Sequence, residues 1–303
     1  SKTLRQNTIN QFIDCINKKI LLLIMLFISH FAQSAEVTWD LTFDSKYNLP
    51  LIMMDFQGEQ IAMTLDTGSK EALHLPMDLI DKIPNKAEKL EKIRNTDLSG
   101  SVTELRAFII DKLLLNSFIF NNVQVVEYKD WGLFISSDPM DNDNREDSSG
   151  FNAVIGLKLF DNYVLTINYP ESNLTISDDT STDLNSNWVA IPFDLNGEGL
   201  VVTLSDGIKN YKMVLDTGAT LSLIKEQSLS PESIKISDPE DNFKSISLDV
   251  NNVANDSVLP IIIDSFPNEF QSDGLLGADF LSKNKVKLDF KNKQMWIQPV
   301  EQK

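Results

Sequence analysis

Cysteine and histidine are almost missing from this chain. Its 303 residues include one cysteine, Cys15, and two histidines, His30 and His74. Cys15 precedes an apolar run near the N-terminus. Beyond that run there is no residue from which to build a disulfide framework, a catalytic thiol or a thiolate metal site. His30 lies in the same leader region, so a Ser-His-Asp triad would depend on His74. His74 sits in the stretch EALHLP, where a structural histidine at a strand end is the expected reading. No GxxxxGK(S/T), HExxH or EF-hand pattern occurs. Basic residues are also scarce, with 27 Lys and Arg against 44 Asp and Glu. That balance opposes nucleic-acid binding and anionic membrane surfaces. The chemistry is expected to run on carboxylates, hydroxyls and backbone amides, with no metal and no cofactor.

A long apolar run occurs near the start. Lys18 and Lys19 precede Ile20 to Ile28 (ILLLIMLFI), and the small residues Ala32, Ser34 and Ala35 follow. Basic flank, short apolar core and small-residue site in this order predict a secretory signal peptide over residues 1–35, cleaved after Ser34 or Ala35. The run falls short of the about 20 apolar residues that span a bilayer, so no stable membrane span is expected after cleavage. The alternative is an uncleaved N-terminal anchor. Cys15 stands on the wrong side of the run for a lipoprotein anchor. Removal of residues 1–35 takes away Lys2, Arg5, Lys18, Lys19 and Asp14 and leaves a net charge of −20, which suits a soluble secreted or periplasmic monomer. A secreted chain without cysteines favours a bacterial source. Asn173-Leu174-Thr175 and Asn255-Asp256-Ser257 are glycosylation acceptors only in a eukaryotic one.

The rest of the chain is a repeat. Asp-Thr-Gly occurs at Asp66-Thr67-Gly68 and again at Asp216-Thr217-Gly218. One copy reads as an ordinary turn, since a given tripeptide arises by chance in roughly one of twenty chains this long. Two copies in matched contexts do not. IAMTLDTGSKEALHL and YKMVLDTGATLSLI each give an apolar strand ending at the Asp, a tight turn and a second apolar stretch. Further on, Val154-Ile155-Gly156 and Leu275-Leu276-Gly277 open two segments that align without a gap at an offset of 121. In that alignment Phe160 falls on Leu281, Leu165 on Val286, Ile167 on Leu288, Tyr169 on Phe290 and Ile176 on Ile297. Both segments predict short helix, strand, turn, strand, with Pro-Glu-Ser-Asn and Lys-Asn-Lys as the turns.

Two mainly β halves follow, 36–180 and 181–303, with the polar stretch Ser177 to Asn187 as linker. One helix is expected over Pro76 to Arg94, where Leu79, Ile80, Ile83, Leu90 and Ile93 recur at helical spacing, broken by Pro84. Ile135 to Gly150 reads as an acidic loop.

Equivalent aspartates on equivalent loops predict a site on a pseudo-twofold axis. Two carboxyls within a few Å do not both ionise easily, so one keeps its proton. This is the behaviour that aspartic proteases exemplify. The ionised member can take a proton from a water, while the protonated member polarises a peptide carbonyl. Gly68 and Gly218 leave room for two loops to meet face to face. The hydroxyls of Thr67 and Thr217 are placed to bond across to the opposite loop and fix the spacing.

With these motifs the chain resembles the pepsin-like and retropepsin-like aspartic peptidases, over essentially all of residues 36–303. The resemblance implies two pseudo-twofold-related β-barrel-like lobes with a cleft between them. It also implies a catalytic pair at Asp66 and Asp216, interlocking threonines at Thr67 and Thr217, and apolar-apolar-Gly strands behind the Asp loops. The implied activity is endopeptidase cleavage of a peptide or protein substrate bound as an extended strand. Ser69 follows the first Gly as in pepsin-like enzymes, where its hydroxyl would bond to Asp66. Ala219 takes that place in the second half, as in many retroviral enzymes, which would leave Asp216 less supported as an anion. The flap over the cleft is expected near Asp97 to Arg106, with Gly100 at its tip and no Tyr or Trp. About 30 residues separate the cleavage site from Asp66, so no inhibitory propeptide is expected. Two other readings are a non-catalytic binding protein on the same fold and a Ser-His hydrolase using His74. The latter lacks a nucleophile elbow and leaves the duplication unexplained.

Overall fold

The computed structural model describes residues 35–96, 102–129, 152–179, 187–240, 242–250 and 257–300. The leader up to Ser34, Gly100, the stretch Ile135 to Gly150, residues 180–186 of the expected linker and the Asn255 acceptor lie outside the described residues. No helix among the described residues is long and apolar enough to cross a membrane.

Period-two alternation of apolar and polar residues builds most elements. The first half runs β1 (Glu36–Asp40), β2 (Thr42–Phe43), β3 (Pro50–Phe56), β4 (Glu59–Leu65), β5 (Leu73–Leu75) and helix α1 (Met77–Ile80). It continues through β6 (Lys86–Glu88), β7 (Ile93–Thr96), β8 (Val102–Leu105), β9 (Ala107–Leu115), β10 (Phe118–Glu127) and β11 (Val154–Ile155). A 3-10 turn at Leu157–Phe160, β12 (Val164–Asn168) and β13 (Asn173–Ser177) close it. In β3, Ile52, Met54 and Phe56 are buried while Met53 and Asp55 face out. The β9–β10 hairpin turns at Asn116 and Ser117, both at positive φ (45° and 65°), the geometry whose twist matches that of paired strands.

The second half repeats this order with β14 (Val189–Ile191), β15 (Phe193–Asn196), β16 (Gly199–Ser205), β17 (Asn210–Leu215), β18 (Leu223–Lys225) and β19 (Ile236–Ser237). Then come β20 (Lys244–Ser245), β21 (Ile261–Ile263), β22 (Gly274–Leu276), helix α2 (Ala278–Leu281), β23 (Asn284–Asp289) and β24 (Gln294–Pro299).

Two eight-stranded sheets have the same plan. Their orders are β2-β3-β4-β11-β5-β10-β9-β6 and β15-β16-β17-β22-β18-β21-β20-β19. Directions agree position by position. β4–β11 and β17–β22 are parallel, β11–β5 and β22–β18 antiparallel, β5–β10 and β18–β21 parallel again.

A six-stranded sheet, ordered β1-β13-β12-β23-β24-β14, joins the halves. At its centre β12 pairs with β23, and Thr166 stands opposite Lys287. Those residues are 121 apart, the offset of the sequence repeat, so the pseudo-twofold axis passes through this pair. The turns match too, since Ser172 and Lys293 are also 121 apart and both take a positive φ (53° and 52°). One continuous apolar core, from Trp39 to Ile297, runs through both halves. Glu36–Lys303 is accordingly one compact unit.

The helix expected over Pro76 to Arg94 is not formed. Only Met77–Ile80 is helical, with Leu79 and Ile80 buried. Pro84 disfavours helical geometry at the residue before it, and Asn85 takes φ 57°. The chain then extends into β6, paired with β9 through Lys86 and Ile110. Leu90 is fully exposed rather than packed on a helix face. Ile93 opens β7 of the β7–β8 hairpin, which brackets the expected flap.

Candidate active site

Each sequence-predicted aspartate follows the last residue of a strand, Leu65 of β4 or Leu215 of β17. The short parallel neighbour fixes the exit. Asp66 N–H donates to Ile155 O at 2.8 Å, and Asp216 N–H donates to Leu276 O at 2.9 Å. The apolar-apolar-Gly strands therefore stand beside the Asp loops. A Cβ on Gly156 would lie 2.0 Å from Glu71 O and 2.8 Å from Ser69 O. Backbone on both sides leaves nothing flexible to yield. Gly156→Ala is expected to destabilise the protein by about 1–3 kcal/mol or more, read as a lower urea midpoint at unchanged m-value.

The two loops are tied by a closed set of four buried hydrogen bonds. Thr67 Oγ1 donates to Leu215 O (2.8 Å) and accepts from Thr217 N–H (2.9 Å). Thr217 Oγ1 donates to Leu65 O (2.7 Å) and accepts from Thr67 N–H (2.9 Å). Both threonines are buried, so water does not compete for these bonds.

That lattice brings the carboxyls of Asp66 and Asp216 into hydrogen-bond contact with each other. The point where a Cβ on Gly68 would stand is 3.1 Å from Asp216 Cγ and 3.1 Å from Asp66 Oδ1. The equivalent point on Gly218 is 3.0 Å from Asp216 Oδ1 and 3.5 Å from Asp66 Oδ1. Any side chain at either glycine would crowd the pair. Each carboxyl also accepts from its own loop, with Gly68 N–H to Asp66 Oδ1 at 2.9 Å and Gly218 N–H to Asp216 Oδ1 at 2.8 Å.

Burial raises both carboxyls above the usual carboxylate range. Asp216 is pushed up to about 8, by burial first and then by the negative charge of Asp66. The proton held by the pair is shared across the hydrogen bond between them and belongs to the pair rather than to either residue. The sequence predicts an asymmetry between the two carboxyls from a Ser69 hydroxyl that Ala219 lacks, and the structure does not supply that cause. Ser69 makes no side-chain hydrogen bond to Asp66, and the backbone N–H groups of Ser69 and Ala219 support the two carboxyls alike.

A raised carboxyl pKa means the folded state holds its proton more tightly than the unfolded chain. Stability from this group is complete below pH 3.8 and declines as pH rises towards about 8. The excess stability of Asp216→Asn over wild type should therefore grow across that window, by up to about 1.4 kcal/mol per pH unit, in paired denaturant titrations. A difference independent of pH would contradict the raised pKa.

His74 lies in β5, opposite Val154 of β11 and Val126 of β10. It is buried, and burial holds its pKa below the ordinary value. Among the described residues no group of three or more His, Cys, Asp or Glu is placed to hold a metal. Tyr169, which the sequence marks only as the counterpart of Phe290, is buried in the turn after β12, edge-on to Phe43 at 4.9 Å. Its hydroxyl has no hydrogen-bond partner among the described residues. Burial raises its pKa, with the charges of Asp216 and Asp66 adding to the effect, so a neutral phenol stands near the pair.

No protein-family model and no curated protein sequence matches the chain. Its structure is similar to that of an aspartic proteinase from Irpex lacteus, with TM-score 0.55 and 14% identity over 88% of this chain and 97% of that one. It is also similar to Basic 7S globulin from soybean, with TM-score 0.51 and 12% identity over 88% of this chain and 95% of that one. The chain has the mainly β, two-lobed fold of the aspartic proteinases.

Proposed function

We propose that this protein is an aspartic endopeptidase whose catalytic pair is Asp66 and Asp216. The observation that carries the reading is the carboxyl pair itself, locked by four buried threonine bonds, and the upward shift of both carboxyls by burial supports one retained proton. In the proposed cycle, ionised Asp66 takes a proton from a water between the carboxyls. Protonated Asp216 donates a hydrogen bond to the carbonyl oxygen of the scissile peptide. The water oxygen bonds to the carbonyl carbon and gives a tetrahedral diol. Transfer of a proton to the nitrogen then breaks the C–N bond and releases acid and amine. No covalent intermediate with the protein is needed. The lobes would hold the peptide as an added strand, with the β7–β8 hairpin over it.

Expected cleavage is bell-shaped in pH. The acid limb lies above the usual carboxylate range near 3.8, and the alkaline limb lies where Asp216 loses its proton, about 8. The signal peptide expected over residues 1–35 and the net negative charge support a secreted or periplasmic monomer acting on peptides or proteins.

The likeness to Basic 7S globulin supports a second reading, a non-catalytic peptide-binding protein on the same fold. The intact carboxyl pair favours the first. Casein and a mixed peptide library, assayed from acid to neutral pH, separate the two. Cleavage that disappears in Asp66→Asn and in Asp216→Asn supports the endopeptidase, and cleavage that survives in both rules this mechanism out.

A further inference from the structure

Lys70 stands two residues beyond the first Asp-Thr-Gly, where the second half has Thr220. Its Nζ lies 3.7 Å from the point where a Cβ on Gly197 would stand. Gly197 is in the turn between β15 and β16, so the ammonium reaches from an Asp loop of one lobe to a turn of the other. The start of β16 lies beside the same loop, since a Cβ on Gly199 would lie 3.5 Å from Thr67 O.

Lys70 is exposed and forms no ion pair among the described residues. The acids next in sequence to Lys70 and to Gly197 are engaged elsewhere. Glu71 accepts from Gln124 Nε2 at 2.9 Å. Glu198 accepts from Gln271 N–H (2.8 Å), Ser272 N–H (2.8 Å) and Ser272 Oγ (2.7 Å). A cation without an ion-pair partner among the described residues thus reaches from one lobe to the other, beside one Asp loop and not the other, in a chain whose net charge is strongly negative.

We propose that Lys70 is a specificity-determining residue that selects an acidic substrate side chain near the scissile bond, on one side of it only. The proposal rests on the endopeptidase reading. The substrate runs past both Asp loops, and the pseudo-twofold axis relates its two sides. A charge present on one loop alone therefore distinguishes them. The net negative charge of the chain repels acidic peptides at long range, so the selection is a short-range contact and weakens as salt rises.

The test is cleavage-site mapping by mass spectrometry on a mixed peptide library, with wild type, Lys70→Thr and Lys70→Glu, at low and high salt. Wild type should enrich Asp and Glu about two- to fivefold at one or two positions on a single side of the cut, the size of an exposed charge contact. The enrichment should vanish in Lys70→Thr and turn into enrichment of Lys and Arg in Lys70→Glu. Active enzymes with superimposable profiles, or acid enrichment on both sides of the cut, would overturn the role of Lys70 and leave the endopeptidase standing. A wild type that cleaves nothing would overturn both.

Discussion

On the endopeptidase reading, asparagine at either Asp66 or Asp216 should lower kcat by about a thousandfold or more, the scale of losing a positioned acid or base. The asparagine amide keeps the shape of the carboxyl. It can neither accept a proton from water nor hold one for the carbonyl. In the proposed cycle either change removes one member of an acid–base pair that works as a unit, so the two losses should be similar and the double variant little worse than either. The fold should survive both changes, because the threonine lattice does not involve the carboxyls. Asp216→Asn should unfold at higher urea than wild type at pH 8, since it relieves a buried charged pair. Loss of activity accompanied by loss of structure would count against this account.

Thr67→Val is expected to cost about 2–4 kcal/mol of stability, because it leaves the buried Leu215 carbonyl and Thr217 N–H without a partner. Valine fills nearly the same volume, so the loss reports the hydroxyl rather than a cavity. Thr217→Val should behave alike, exposing the same deficit at Leu65 O and Thr67 N–H. Serine at either position keeps the hydroxyl and should recover most of the stability. Activity should fall further than stability implies, since the lattice sets the carboxyl spacing and displacements of about 1 Å cost on the order of a hundredfold in rate. Urea midpoints and kcat measured on the same preparations check both parts. Serine variants no better than valine would remove the lattice from the account.

The central features were legible because they are written twice. The paired Asp-Thr-Gly contexts and the gapless segments at offset 121 give the two sheets of matching order and the pairing of β12 with β23. The threonine bonds follow from a hydroxyl placed next to each aspartate. Features written once were harder to read. Leu90 and Ile93 fit a helical stripe, but Pro84 and the pairing of β6 with β9 override the pattern. A hydroxyl at Ser69 suggested a bond to Asp66, and side-chain direction in a tight turn is not encoded by residue type. Tyr169 reads as an apolar core position opposite Phe290, and only the folded arrangement puts its phenol near the carboxyls. Lys70 carries no motif, and its reach across to Gly197 depends on how the lobes meet.

The most direct test of a working Asp66–Asp216 pair is the affinity for a statine-containing peptide, whose tetrahedral hydroxyl mimics the diol between the carboxyls. Calorimetric titration of the wild-type protein, Asp66→Asn and Asp216→Asn should show tight binding to wild type, weakened about a hundredfold or more in each variant. Equal affinity for all three proteins, or no binding to wild type, would contradict the pair as the catalytic centre.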